Sequence, residues 1–156
     1  MRFAPLLLLL IATAAQAAPA RLTEPEVRAF VARQSKAWNA GDLAGYFALF
    51  TKEARFTDQA RSKDGRLVPY GTSTVAEARA QAKRSLSTTR VRETTTLRQV
   101  QIAADGKSAR VVAAEDTTLT TGARTRRLCA ERVMTLIATP AGVRSQGQTD
   151  TITPCR

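Results

Sequence analysis

The chain has no histidine and few aromatic residues, 5% of its 156 positions, and carries only two cysteines. Without histidine a Ser-His-Asp triad is excluded. With no closely spaced Cys/His ligand set an ordinary zinc site is excluded too, and no metal or other cofactor is expected. The cysteines, Cys129 and Cys155, lie far outside C-x-x-C spacing, so a redox pair is not indicated. Gly41 and Gly45 have no following Lys-Ser/Thr and form no phosphate loop. There are no internal repeats, long linkers or low-complexity tracts after the first residues.

Acidic residues are scarce beside basic ones, 13 against 24, for a net charge of +11. That balance would suit nucleic acid or an anionic surface. The basic residues are nevertheless scattered, and the densest group is only Arg124-Thr125-Arg126-Arg127. No aromatic ladder accompanies them for bases to stack on. A solvated Arg-rich surface is the expectation, with no nucleic-acid partner.

The first residues read as a secretion signal. Arg2 begins it, Leu6 to Ala15 form its apolar stretch, and Ala15-Gln16-Ala17 is a small-x-small cleavage site. That apolar stretch is short for a bilayer span. The expected organisation is a signal peptide over 1–17 and one domain over 18–156, periplasmic or secreted, with no stable membrane insertion after cleavage. A retained signal anchor is the alternative. In an oxidising compartment the even cysteine count favours a Cys129–Cys155 disulfide, which would tie the last strand to its neighbour. Chain-entropy arguments put such a loop closure at about 3 kcal/mol.

Thr23-Glu24-Pro25-Glu26 is a capping box that opens a helix. Val27, Phe30, Val31, Gln34 and Trp38 fall on one stripe of it, so Gln34 is a polar residue on an otherwise apolar face. Gly41 stops this helix, and Asp42 caps a second with Leu43, Tyr46, Phe47 and Phe50 facing inward. A strand over Ala54–Asp58 follows, then a turn at Lys63-Asp64-Gly65-Arg66 and a short strand at Leu67–Tyr70. Thr74-Val75-Ala76-Glu77 caps a third helix ending near Leu86. From Val91 the pattern is β-rich, divided by tight turns at Asp105-Gly106, Gly122-Ala123 and Pro140-Ala141.

Two-residue turns set a register that pairs Val100 with Val111, Arg98 with Ala113, Val111 with Met134 and Ala113 with Arg132. One face then holds Val100, Ile102, Val111, Ala113, Leu119, Leu128, Ala130, Met134, Leu136 and Ile152 and should meet the helices. Leu97, Val112, Ala114, Cys129, Val133 and Ile137 fall on the other, a candidate dimer surface.

The order of elements through Trp38-Asn39-Ala40-Gly41-Asp42-Leu43-Ala44-Gly45-Tyr46-Phe47-Ala48-Leu49-Phe50 and on to Asp58 resembles the opening of the NTF2-like (SnoaL-like, ketosteroid-isomerase-like) cone fold. The resemblance implies an α+β architecture, with N-terminal helices packed on a curved, mostly antiparallel mixed sheet around a pocket. In a gapless comparison Asp58 falls where ketosteroid isomerase keeps its proton-transferring carboxylate. Gln34 stands where that enzyme has its oxyanion-binding tyrosine, and its second acid falls loosely on Glu131, on the expected outer face. The dehydratase branch of the fold generally leans on histidine, which is absent here.

The expected inner face also carries Arg98, Glu115, Arg132 and Asp150. Isolated buried charges are costly, so these should pair or line a solvated cavity. They indicate either a structural ion network or an Arg-bearing pocket for an anionic group. Trp38, Tyr46 and Tyr70 are candidate walls, and equally candidate core. Asp58 reads either as a general base, with Gln34 as donor, or as a plain strand-end residue. The leading expectation is a non-catalytic domain binding a small ligand, an anionic one included. An isomerase or lyase using Asp58 and a homodimeric interaction domain are the alternatives.

Overall fold

The computed structural model describes residues 21–155, so the expected signal segment lies outside the described residues. Helices α1 (Glu24–Asn39) and α2 (Leu43–Phe47) come first, followed by strands β1 (Phe50–Arg61) and β2 (Leu67–Thr74). Helix α3 (Val75–Leu86) precedes four long strands, β3 (Thr89–Ile102), β4 (Ser108–Thr121), β5 (Arg124–Thr139) and β6 (Gly142–Thr153). These form one six-stranded sheet in the order β2-β1-β6-β5-β4-β3. Every neighbouring pair is antiparallel except β1 and β6, which run parallel. The result is the α+β mixed sheet with helices on one face that the resemblance implied.

Local chemistry sets the helix ends. The Thr23 and Thr74 capping boxes both form. Asp42 accepts a 2.8 Å bond from the Gly45 backbone N–H and starts α2. Gly41, at φ +69°, takes the left-handed position after α1 and donates to the Trp38 carbonyl.

Two apolar clusters hold the helices to the sheet. Under α1, Val27, Phe30 and Val31 pack with Val111, Met134, Leu136 and Val143. The second unites Tyr46, Phe47 and Phe50 with Ala54 and Ala82, with Trp38 and Phe56 against it. Each fully buried side chain of this size contributes roughly 1.5–3 kcal/mol through the hydrophobic effect.

The turns set most of the register as expected: Val100 faces Val111, Val111 faces Met134, and Ala113 faces Arg132. One expectation fails. A β-bulge between Leu97 and Gln99 places Leu97, not Arg98, opposite Ala113. The extra residue reverses the side-chain alternation of β3. Leu97 therefore packs against the core beneath α1, and Arg98 turns to solvent. Ile102, beyond the bulge, is 36% exposed rather than covered by a helix. The strands also outrun their expected ends, since β1 and β2 reach Arg61 and Thr74.

Cys129 of β5 and Cys155, just past β6, form the expected disulfide, with Cα atoms 5.2 Å apart.

Candidate functional site

Between the second apolar cluster and the sheet lies a cavity of about 430 Å³. Trp38 and Tyr46 wall it from the helices, and Phe56, Val91, Leu119 and Leu128 from the sheet. Tyr70, 63% exposed, stands at its mouth.

The cavity floor is an ion cluster. Arg132 of β5 is central, and its side chain is only 8% exposed. Its Nε donates to Asp150 Oδ1 at 2.8 Å and its Nη2 to Asp150 Oδ2 at 3.2 Å. The other edge donates to Glu93, Nη1 to Oε1 at 3.1 Å and Nη2 to Oε2 at 3.4 Å. Burial by itself would push the guanidinium pKa down, but Asp150, Glu93, Tyr46 and Glu115 together hold it well above its ordinary value. Arg132 is permanently charged.

Glu115 completes the cluster from β4, with a side chain 2% exposed. Its Oε2 accepts from the Thr95 hydroxyl at 2.8 Å. Its Oε1 is 3.2 Å from Arg132 Nη1, yet the geometry there is that of an ion pair without a hydrogen bond, and Oε1 has no donor. Burial raises the Glu115 pKa to about 7, with Arg132 opposing and Glu93 and Asp150 adding to the rise.

A second layer of polar contacts supports this floor. Gln148 donates to Asp150 Oδ2 at 3.0 Å. Its Oε1 accepts from Gln34 at 3.1 Å and from the Tyr46 hydroxyl at 3.2 Å. Burial lifts the Tyr46 hydroxyl pKa well above its ordinary value, so it remains a neutral donor. Trp38 Nε1 is buried without a partner.

Asp58 lies opposite Gly71 on β2 and Asp150 on β6. It lines the cavity but is solvent-exposed, at the rim. Its pKa is raised, first by partial burial and then by Asp150, against the pull of Arg132.

Asp58, Trp38, Tyr46, Tyr70, Glu115, Arg132 and Asp150 thus all border the cavity. Gln34 does not. It lies buried behind the floor and its amide is engaged by Gln148, so it is not placed to donate to a ligand. Arg98 does not either, because the bulge expels it. Glu131 is exposed on the outer face, as the register required.

Among the polar residues of the floor, Glu93 and Gln148 escaped the sequence reading. Glu93 sits where the unseen bulge inverts the β3 alternation. Gln148 was within reach, because it precedes Asp150 by two positions and so shares its face.

No protein-family model matches the sequence, and no curated protein does. Solved structures do resemble it. A conserved protein from Planctomyces limnophilus superposes with a TM-score of 0.69 at 17% identity, covering 85% of this chain and 97% of that one. A ketosteroid isomerase-like protein from Erwinia carotovora atroseptica gives 0.65 at 12% identity, over 86% and 100%. An NTF2-like protein with a cystatin-like fold from Novosphingobium aromaticivorans gives 0.60 at 14%, over 85% and 82%. The chain has the NTF2-like cone fold. In this fold the cavity lies where helices and curved sheet face one another, with the Arg132 cluster at its floor.

Proposed function

We propose that this NTF2-like chain is an exported, non-catalytic domain that binds a small molecule in its cone cavity. The observation that carries the reading is the combination of an apolar-walled space of about 430 Å³ with a floor rigidified around Arg132. Such a space is in the usual size range for a small ligand. The disulfide is compatible with export, and among the described residues no helix is long and apolar enough to cross a membrane. Trp38, Tyr46 and Phe56 would hold the apolar part of the ligand, while Asp58 and Tyr70 would meet it at the rim.

An anionic ligand loses its support. Arg98 lies outside the cavity, and the hydrogen bonds of Arg132 go to Asp150 and Glu93. Native mass spectrometry of the oxidised protein, purified from the host that exports it, tests the binding reading. A mass above that of the polypeptide, lost on mild activation, is the expected result. Bare protein alone, with no small molecule from a metabolite extract retained on incubation, counts against it.

A second reading has one observation in its favour. Asp58 has no ion-pair or side-chain hydrogen-bond partner among the described residues, and its pKa is raised as a general base requires. In that reading the chain is an isomerase or lyase of carbon acids. Gln34 is not available as the donor, so Tyr46 or a protonated Glu115 would have to serve. Asp58→Asn separates the readings: a catalyst loses turnover of an activated ketone, whereas a binder retains a neutral ligand.

A further inference from the structure

The protein surface is strongly basic, but the cavity is not. Its lining contains the carboxylates of Asp58, Glu93, Glu115 and Asp150 and a single cationic side chain, Arg132. A chain of net charge +11 thus concentrates negative charge in this apolar-walled hollow. Arg132 balances one carboxylate. Counted formally, the four carboxylates outnumber the single cation by three.

A purely structural cluster would use its acceptors internally. Here two groups fall short of that. Glu115 Oε1, on a side chain 2% exposed, meets Arg132 only as a 3.2 Å ion pair and accepts no hydrogen bond. Asp58 has no ion-pair partner among the described residues. Around them stand Trp38, Tyr46, Phe56 and Tyr70, whose ring faces attract cations. Excess carboxylate, acceptors left without hydrogen-bond donors and several aromatic faces together make the environment of an organic ammonium ion.

We infer that the ligand of this cavity is a small amphipathic organic cation, its ammonium group drawn by Asp58 and Glu115 and its apolar part held between Trp38 and Phe56. This rests on the binding reading and specifies its ligand class. It also ties binding to pH. The charged groups facing Glu115 are Arg132 on β5, Glu93 on β3 and Asp150 on β6, with the neutral Tyr46 hydroxyl on α2 near Arg132 and Asp58 across the cavity on β1. From α3 the cavity receives Gln81 and Ser85 but no charged side chain. A cation entering this set favours ionised Glu115, so it displaces a proton, and its affinity rises as pH rises through about 7.

The test uses the full oxidised mature protein and three naphthyl probes of one shape: 2-naphthylmethylamine, 2-naphthylmethanol and 2-naphthoate. Calorimetry at pH 6, 7 and 8 reads the affinities. The amine should bind on the order of tenfold tighter than the alcohol, and the carboxylate weakest. Amine affinity should climb several-fold from pH 6 to pH 8, with proton release to buffer, while the alcohol stays flat. Asp58→Asn should weaken the amine and spare the alcohol. Glu115→Gln should flatten the pH profile, with circular dichroism confirming its fold. Equal affinity for amine and alcohol, or preference for the carboxylate, overturns the cation proposal while the binding reading stands. Failure of all three probes to bind overturns the cation proposal and counts against the binding reading as well.

Discussion

The Asn39 side chain is hydrogen-bonded in both directions to the backbone of Glu93. Its Nδ2 donates to the Glu93 carbonyl at 2.8 Å, and its Oδ1 accepts from the Glu93 N–H at 2.8 Å. β3 is an edge strand, so this amide at the end of α1 serves as a one-residue strand partner. It fixes the backbone of the residue whose carboxylate holds one side of Arg132. Asn39→Ala should cost about 1–3 kcal/mol, since both groups lose a partner. Urea denaturation measures that cost, and hydrogen exchange should show the Glu93 amide losing protection before its neighbours do.

Removing the guanidinium should be far more damaging. Arg132→Met leaves Glu93, Glu115 and Asp150 facing one another without a cation. Loss of one partner from a buried ionic cluster costs roughly 3–5 kcal/mol. The loss should be greater at pH 8 than at pH 5, where the orphaned carboxylates can protonate. Arg132→Lys should restore little, because an ammonium lacks the fork that meets Asp150 and Glu93 at once. Equal destabilisation at both pH values would show that the cluster is not governed by charge.

Glu115 sets a pH dependence of stability with a definite sign. Its folded-state pKa is raised from 4.5 to about 7. Between those values the folded chain binds more proton than the unfolded one, so stability is greatest below the lower value and declines as pH rises through about 7. The decline attributable to this group is on the order of 3 kcal/mol. Glu115→Gln should remove most of it, leaving the variant more stable than the parent at pH 8. Chemical denaturation at pH 5 and pH 8 gives the comparison.

Gly147 marks a close approach of β6 to β1. It has φ +143°, and a Cβ there would overlap the backbone carbonyl of Arg55, its partner in the parallel pair. Gly147→Ala must separate the strands or distort the backbone, at a cost of roughly 2 kcal/mol or more. Because Asp58 and Asp150 pair farther along the same two strands, ligand binding should weaken with stability. A melting temperature unchanged from the parent would refute this close-packing account.

Replacing Cys129 and Cys155 together by alanine should lower stability by about 3 kcal/mol without altering the cavity, since neither cysteine borders it. Thermal denaturation of the double variant, beside ligand retention by native mass spectrometry, separates the two effects.

Short-range chemistry was legible in the sequence. The capping boxes at Thr23 and Thr74, the stop at Gly41 and the cap at Asp42 depend on residues within one turn of each other, and all of them formed. The tight turns carried the register of β3, β4 and β5 outward, placing Val111 opposite Met134 and bringing Glu115 and Arg132 to one face. The bulge at Arg98 left no comparable local signal. It reverses every side chain before it, exchanging Arg98 for Glu93 and turning an expected basic pocket into an acidic one. The same holds for Gln34, whose helical stripe indicated burial but not the Gln148 amide that engages it. Charge in the cavity, and hence the ligand it suits, was decided by contacts between strands far apart in the chain. Side-chain alternation along a strand is a running parity, and one inserted residue, visible only in the paired sheet, changes its sign.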